Sequence, residues 1–342
     1  MRSIWWKLGL LVAAFACVGI FFYDDMYVFF DAQDPSRKNV YIYPGCIGLK
    51  DPAWGLLKNS LEQEGYSLIL TNSFKRMKNP YAIISFEVKV ANLNNISKNK
   101  HVDPVLVIME PPAVMPISYV KEYHEPFSKI YTWHDDLVDN KRYFKNFYSV
   151  FLPMKEPLVA FEKKKFAVLI NANKKSSVPN ELYSERKKVI DFYQQHYPSE
   201  FDLYGRGWEK NALSVYKGPV DDKIACLSQY KFCICYENSS DQPGYVTEKI
   251  FDSFAAGIVP LYWGAPNITD YVPENCFIDR RHFQDDEAVY RFMNNMSKET
   301  YEGYIANIRA FLVSDKAQLF SGDTFVSLCL KIVKSRAEHY LH

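Results

Sequence analysis

The feature that most restricts this 342-residue chain is an alternation of short apolar runs with helical stretches, repeated in two successive series. The first series holds NVYIYPG from Asn39, YSLILTN from Tyr66, YAIISFEV from Tyr81, PVLVIMEPP from Pro104 and KIYTWHD from Lys129. A helical stretch, PAWGLLKNSLEQEG from Pro52, lies between the first two. The second series follows a basic stretch at 162–165. It runs FAVLINAN from Phe166, FDLYGRGW from Phe201, KFCICYEN from Lys231, GIVPLYWG from Gly257 and CFIDRRHF from Cys276, then a helical tail from about 287. Strands that alternate with helices predict a parallel sheet with helices on its faces. Two such series, joined by a linker near 152–164, predict an α/β chain of two Rossmann-like domains facing a cleft, at 31–160 and 161–342. The length suits two domains of ordinary size. In open α/β sheets ligands bind beyond the carboxyl ends of the strands, so the residues just after each run are the ones to weigh for chemistry.

Residues 1–30 differ from the rest. Residues 4–23 form an apolar run of about one bilayer thickness, interrupted by Lys7, whose long side chain can snorkel to the interface. Trp5 and Trp6 stand at one end and Phe21, Phe22 and Tyr23 at the other, as in an aromatic belt. Arg2 and Lys7 precede the run and Asp24 and Asp25 follow it, which predicts a transmembrane anchor with a cytoplasmic N-terminus. A cleaved signal peptide ending near Ala13, Ala14 and Ala16 competes with it, but the aromatic stretch after Gly19 carries the apolar run past a cleavage point there.

Lys and Arg number 41 against 40 Asp and Glu, so no overall field draws the chain to nucleic acid. Aromatics make up 16%, which suits packing against sugar rings and equally suits large β-rich cores. Cys17 belongs to the apolar run, and Cys233 and Cys235 would share one face of a strand as core residues. Sequons stand at Asn95, Asn238, Asn267 and Asn295. The acidic pairs 135–136, 221–222 and 285–286 read as turns or helix caps, and no metal site is expected.

The stretch 231–283 carries the chemistry. A strand ends in Glu237 and Asn238, a Gly-containing loop follows, and Thr247 is placed to cap a helix opening with Glu248 and Lys249. Free amide donors and a partial positive charge at that helix start, with Lys249 beside them, suit a diphosphate. The helix should end at Gly257, and the next strand ends in YWGAP.

With its ENS, GYVTEKI, AAGIVPLYWGAP and FID elements in order, this stretch resembles the donor-binding region of the family 10 fucosyltransferases, inverting α1,3/α1,4 enzymes that use GDP-fucose. The likeness implies the two-Rossmann GT-B fold, with acceptor recognition mainly in the first domain and GDP-fucose mainly in the second. It implies that Asn238, Tyr245, Glu248 and Lys249 line the donor site. Arg186, following the NANKKSSVPNELYSER loop, corresponds to the family's arginine, and its guanidinium can grip a diphosphate bidentately.

An inverting transfer needs one carboxylate to deprotonate the attacking hydroxyl. Glu110, at the end of PVLVIMEPP and before the stiff Pro111-Pro112 pair, is the candidate by position and by its order in the family. Glu87 and Glu122 are the fallbacks. With Arg186, Lys249 and a helix N-terminus to offset the leaving charge, no divalent metal or other cofactor is expected to be essential. The resemblance thus implies transfer of fucose from GDP-fucose to an acceptor glycan. Another GDP-sugar such as GDP-mannose, or a catalytically silent membrane-tethered glycan binder, are the alternatives. The orientation of the anchor implies a single-pass type II Golgi protein with a lumenal catalytic domain, bound to the lipid bilayer through its N-terminal helix.

Overall fold

A computed structural model describes residues 36–339 apart from 46, 48–51, 100, 151–153, 210 and 211. The expected anchor at 4–23, Cys17 and Cys46 lie outside the described residues. Among those described, no helix is long and apolar enough to cross a membrane.

Two six-stranded sheets form, and every strand pairing in both is parallel. The first contains β1 (Lys38–Tyr43), β2 (Tyr66–Leu70), β3 (Pro80–Phe86), β4 (Val105–Ile108), β5 (Lys129–Thr132) and β6 (Tyr143–Lys145), in the order β2-β1-β3-β4-β5-β6. Helices α1 (Pro52–Gln63) and α2 (Val90–Ser97) belong to this half. The second contains β7 (Lys165–Ile170), β8 (Phe201–Tyr204), β9 (Tyr216–Gly218), β10 (Tyr230–Tyr236), β11 (Val259–Trp263) and β12 (Ile278–Asp279), in the order β12-β11-β10-β7-β8-β9. With them run α3 (Tyr183–His196), α4 (Lys223–Leu227), α5 (Glu248–Ala255), α6 (Asp286–Asn294), α7 (Lys298–Leu312), α8 (Asp315–Gln318) and α9 (Gly322–His339).

Strands such as YSLIL of β2 and VLVI of β4 are buried at every position, because helices and loops cover both faces of a parallel sheet. All ten apolar runs of the sequence are strands. The two strands without such a run, β6 and β9, are three-residue edge strands carrying Lys145 and Lys217, where half the backbone faces solvent and no continuous apolar pattern is needed. Cys233 and Cys235 are buried free thiols of β10.

The helical tail departs from the expected division at 161. Phe325, Val326, Cys329, Ile332 and Val333 make one stripe along α9 and pack in the first domain's core with Trp54, Leu57 and Leu61 of α1. The Phe325 and Trp54 rings meet edge-on at 5.7 Å. The chain therefore crosses between domains twice, and the crossings run side by side: Val150 donates its N–H to the Phe320 carbonyl at 2.7 Å and bridges to Ser321. By packing, α9 completes the first domain, because its apolar stripe covers α1.

Candidate active site

At the carboxyl end of β10 the chain enters Glu237, which is wholly buried. Its carboxylate accepts from the Thr247 amide at 3.0 Å and from the Thr247 hydroxyl at 2.8 and 2.9 Å, and lies 3.1 Å from the Lys249 ammonium. Thr247 in turn caps α5, its side chain accepting from the Lys249 amide, as the sequence predicts. The cap and the buried carboxylate together fix the start of α5 against the end of β10. The helix stops at Gly257, whose φ of 63° is the left-handed turn that ends helices.

The order of the second sheet reverses between β10 and β7, and a cavity of about 260 Å³ opens there. Glu110, Arg186, Asn238, Tyr245, Glu248 and Lys249, the six residues singled out in the sequence, all line it. Glu110 comes from the end of β4 in the first domain and the other five from the second, so the cavity lies between the two.

Arg186, in the first turn of α3, is 3% exposed. One terminal nitrogen, Nη2, donates to the carbonyls of Tyr236 and Glu237 at 2.6 and 2.7 Å and to Asn238 Oδ1 at 3.0 Å. Nε is buried without a partner, so the guanidinium is anchored on one side and keeps donor capacity on the other. Burial lowers its pKa. Asn238 passes the contact on, donating from Nδ2 to the Tyr245 hydroxyl at 3.1 Å.

Burial works against charge at Lys249, yet Glu237 and Glu248 hold the ammonium well above the ordinary lysine range. For Glu248, burial pushes the other way, and Lys249 and Lys223 bring its pKa down to about 2. Lys223, opening α4, pairs with Asp252 at 2.6 Å and also lines the cavity. Three cations thus meet the helix start, two of them already held by carboxylates.

The segment carrying Glu110 is held from several sides. Its amide donates to Glu87 Oε1 at 2.7 Å, its carbonyl accepts from the Tyr119 hydroxyl at 2.9 Å, and the Met109 carbonyl accepts from the Tyr148 hydroxyl. The fallback acids do not line this cavity. Glu87 is wholly buried beneath it, and Glu122 is exposed on a short turn at Lys121–His124.

The loop before α5 is clamped to the first domain. Gly244 has φ 83°, and a Cβ there would come within 2.4 Å of the Trp133 carbonyl oxygen at the end of β5. Asp135 accepts from Lys145 at 2.6 Å, from the Tyr271 hydroxyl at 2.6 and 2.7 Å and from Asn267 at 2.9 Å, while Asn267 also accepts from the Gly244 amide. Trp133 and Tyr245 pack with ring centroids 4.7 Å apart. Asp135 is therefore more than a turn residue: it ties the two domains together. Asp222 and Asp285 cap α4 and α6, as expected of the other acidic pairs. Among the described residues no cluster of three or more His, Cys, Asp or Glu could hold a metal ion.

Glu237, Lys223, Tyr148, Asn171 and Tyr183 were not singled out as site residues. Glu237 stands within the ENS element and its position before Asn238 was a usable signal. Lys223 and Tyr148 sit outside any motif, and only the tertiary fold brings them to the cavity.

Residues 160–341 match the profile of glycosyltransferase family 10 (fucosyltransferase) C-term. Alpha-(1,3)-fucosyltransferase FucT of Helicobacter pylori is 32% identical over 129 residues, 37% of this chain and 24% of that protein. Alpha-(1,4)-fucosyltransferase of Arabidopsis thaliana is 33% identical over 161 residues, 43% of this chain and 40% of that protein. The matched stretch thus spans less than half the length of either relative. The crystal structure of an alpha1,3-fucosyltransferase superposes with a TM-score of 0.56 at 18% identity, covering 90% of this chain and 93% of that one, a likeness of fold.

Proposed function

The chain belongs to glycosyltransferase family 10, and from that premise we propose that it transfers fucose from GDP-fucose to a hydroxyl of an acceptor glycan, with inversion and an α1,3-type linkage. One observation carries the reading: a carboxylate from one domain, Glu110, and the cationic start of α5 from the other wall the same cavity. GDP would lie with its diphosphate at the α5 N-terminus, where the partial positive charge of the helix, Lys249 and the unanchored side of Arg186 converge. Glu248, kept ionised, would face the ribose or the sugar and stabilise positive charge developing at the anomeric carbon. Glu110 would take the proton of the acceptor hydroxyl while the oxygen attacks from the face opposite GDP. The leaving diphosphate's charge then falls on Lys249, Arg186 and the helix start. Those cations also lead us to expect that transfer survives EDTA.

Glu110→Gln tests this reading. It keeps size and loses basicity, so turnover should fall by about a hundredfold to ten-thousandfold with GDP affinity unchanged. A folded variant transferring at the wild-type rate would remove Glu110 as base. Further, residues 4–23 would act as a type II anchor in the Golgi membrane, holding the catalytic domains in the lumen, where GDP-fucose and glycan acceptors would meet them. Protease protection of the C-terminal domain in sealed vesicles is the expected result, and digestion from the cytoplasmic side would overturn it.

A further inference from the structure

Glu87 is a carboxylic acid with no exposure, no ion pair among the described residues, and a backbone φ of 69° at a non-glycine position, a conformation that costs energy and persists only where its surroundings enforce it. It follows β3 directly. One oxygen, Oε1, accepts from both the Met109 amide at 2.6 Å and the Glu110 amide at 2.7 Å. Oε2 finds no partner in hydrogen-bonding geometry, although the Ser118 hydroxyl is near enough to favour the charged form. Its own backbone is tied down: its N–H donates to the Val107 carbonyl at 2.9 Å, its carbonyl accepts from the Ser85 hydroxyl at 2.8 Å, and the next amide, of Val88, donates to Ser118 Oγ.

A buried carboxyl is a costly way to satisfy two amides that a water or a backbone carbonyl could satisfy. What sets these two apart is their position. They open the segment in which β4 ends and the cavity begins, and they fix the residue that bears the cavity's first-domain carboxylate. The other supports, Tyr119 and Tyr148, hold carbonyls of the same two residues.

We infer that Glu87 is a positioning residue for Glu110: it never meets substrate, and through the amides of 109 and 110 it sets where the reacting carboxylate stands. The inference rests on Glu110 being the base. It differs in demanding that turnover, and not donor binding, depend on a side chain outside the cavity. The groups facing Glu87 are Glu110, Tyr119 and Ser118. Burial, with the nearby Glu110 charge adding to it, raises Glu87 to about 7 against the amides' opposing pull. Glu87 therefore gains its charge near pH 7, beside the residue it positions.

The test uses the full chain, GDP-fucose, a glycan acceptor, and three variants. Glu87→Ala removes the acceptor of both amides. Its kcat should fall about a hundredfold, the scale of a 1 Å misplacement, with GDP affinity unchanged. Glu87→Gln keeps an oxygen for the amides and loses the charge. Its kcat should stay within about tenfold of wild type, while the change in kcat that Glu87 ionisation produces near pH 7 disappears from the profile. A folded Glu87→Ala variant with wild-type kcat, or one losing GDP affinity in step with kcat, overturns the inference. If Glu87→Ala does not fold, the Gln variant decides alone, an unaltered pH profile of kcat near 7 being the refuting result. Glu110→Gln separates the two ideas: if it transfers normally, the base reading fails first; if it is dead while both Glu87 variants behave as wild type, only the positioning role is lost.

Discussion

Replacing Lys249 with alanine should do two separable things, and the geometry sets the size of each. The ammonium is 3.1 Å from the carboxylate of Glu237, which is wholly buried and, among the described residues, otherwise bonded only to Thr247. Removing it leaves a buried charge that keeps a threonine amide and hydroxyl as donors. Breaking a buried pair in this way costs about 3–5 kcal/mol, and the Lys249 side chain, 22% exposed, lets water in and places the loss near the lower end. About 3 kcal/mol lowers the melting temperature by roughly 6–12 °C for a chain of this kind. Lys249→Ala should also weaken GDP by about tenfold to a hundredfold, through loss of a charge-assisted contact of about 1.5–3 kcal/mol. The two losses part company in the double variant. Glu237→Gln can still accept from Thr247 but carries no charge, so Glu237→Gln/Lys249→Ala should regain most of the melting temperature and none of the GDP affinity. Calorimetric melting and GDP titration of the four proteins in the cycle measure both. An additive double variant, or a Lys249→Ala protein that melts with wild type, would refute the claim that the two charges support each other.

Gly244→Ala must accommodate a methyl group 2.4 Å from the Trp133 oxygen at φ 83°, so it should destabilise by about 1–3 kcal/mol and, by moving Tyr245, weaken GDP; an unchanged Kd would refute it. Tyr271→Phe removes a hydroxyl that donates to Asp135 and accepts from Lys145, and should lower stability by about 1–3 kcal/mol in a melt, with no change in the GDP contacts themselves. Glu87 has a folded pKa of about 7 against an ordinary 4.5, so its stabilising share is full below pH 4.5 and disappears as pH rises through 7. That share is about 3 kcal/mol, and Glu87→Gln should melt progressively better relative to wild type across this window.

The sequence was most legible where local chemistry and tertiary role coincide. Buried parallel strands need continuous apolar residues, so β2, β4 and β10 announce themselves, and Thr247-Glu248-Lys249 carries its own capping signal. Arg186 was legible as a site residue, but its anchoring to the carbonyls of Tyr236 and Glu237 was not, since that depends on how α3 docks on β10. Glu87 illustrates the opposite limit. As a strand-end acid it resembled a base, and only burial and the two amides at its Oε1 separate a group that reacts from one that holds. Asp135, in a turn by its sequence, acquires its role from Asn267 and Tyr271, more than 130 positions away.

The return of α9 to the first domain makes the half that bears Glu110 discontinuous along the gene. A chimaera made by joining the first 150 residues of this chain to the remainder of a relative would bring a foreign helix against Trp54 and Leu57. Grafts meant to exchange the first domain should therefore move 36–150 together with 322–339. Conversely, a stop codon near Ser321 would leave the second sheet intact and strip the cover from the first, so its damage should fall on the domain farthest from it in sequence.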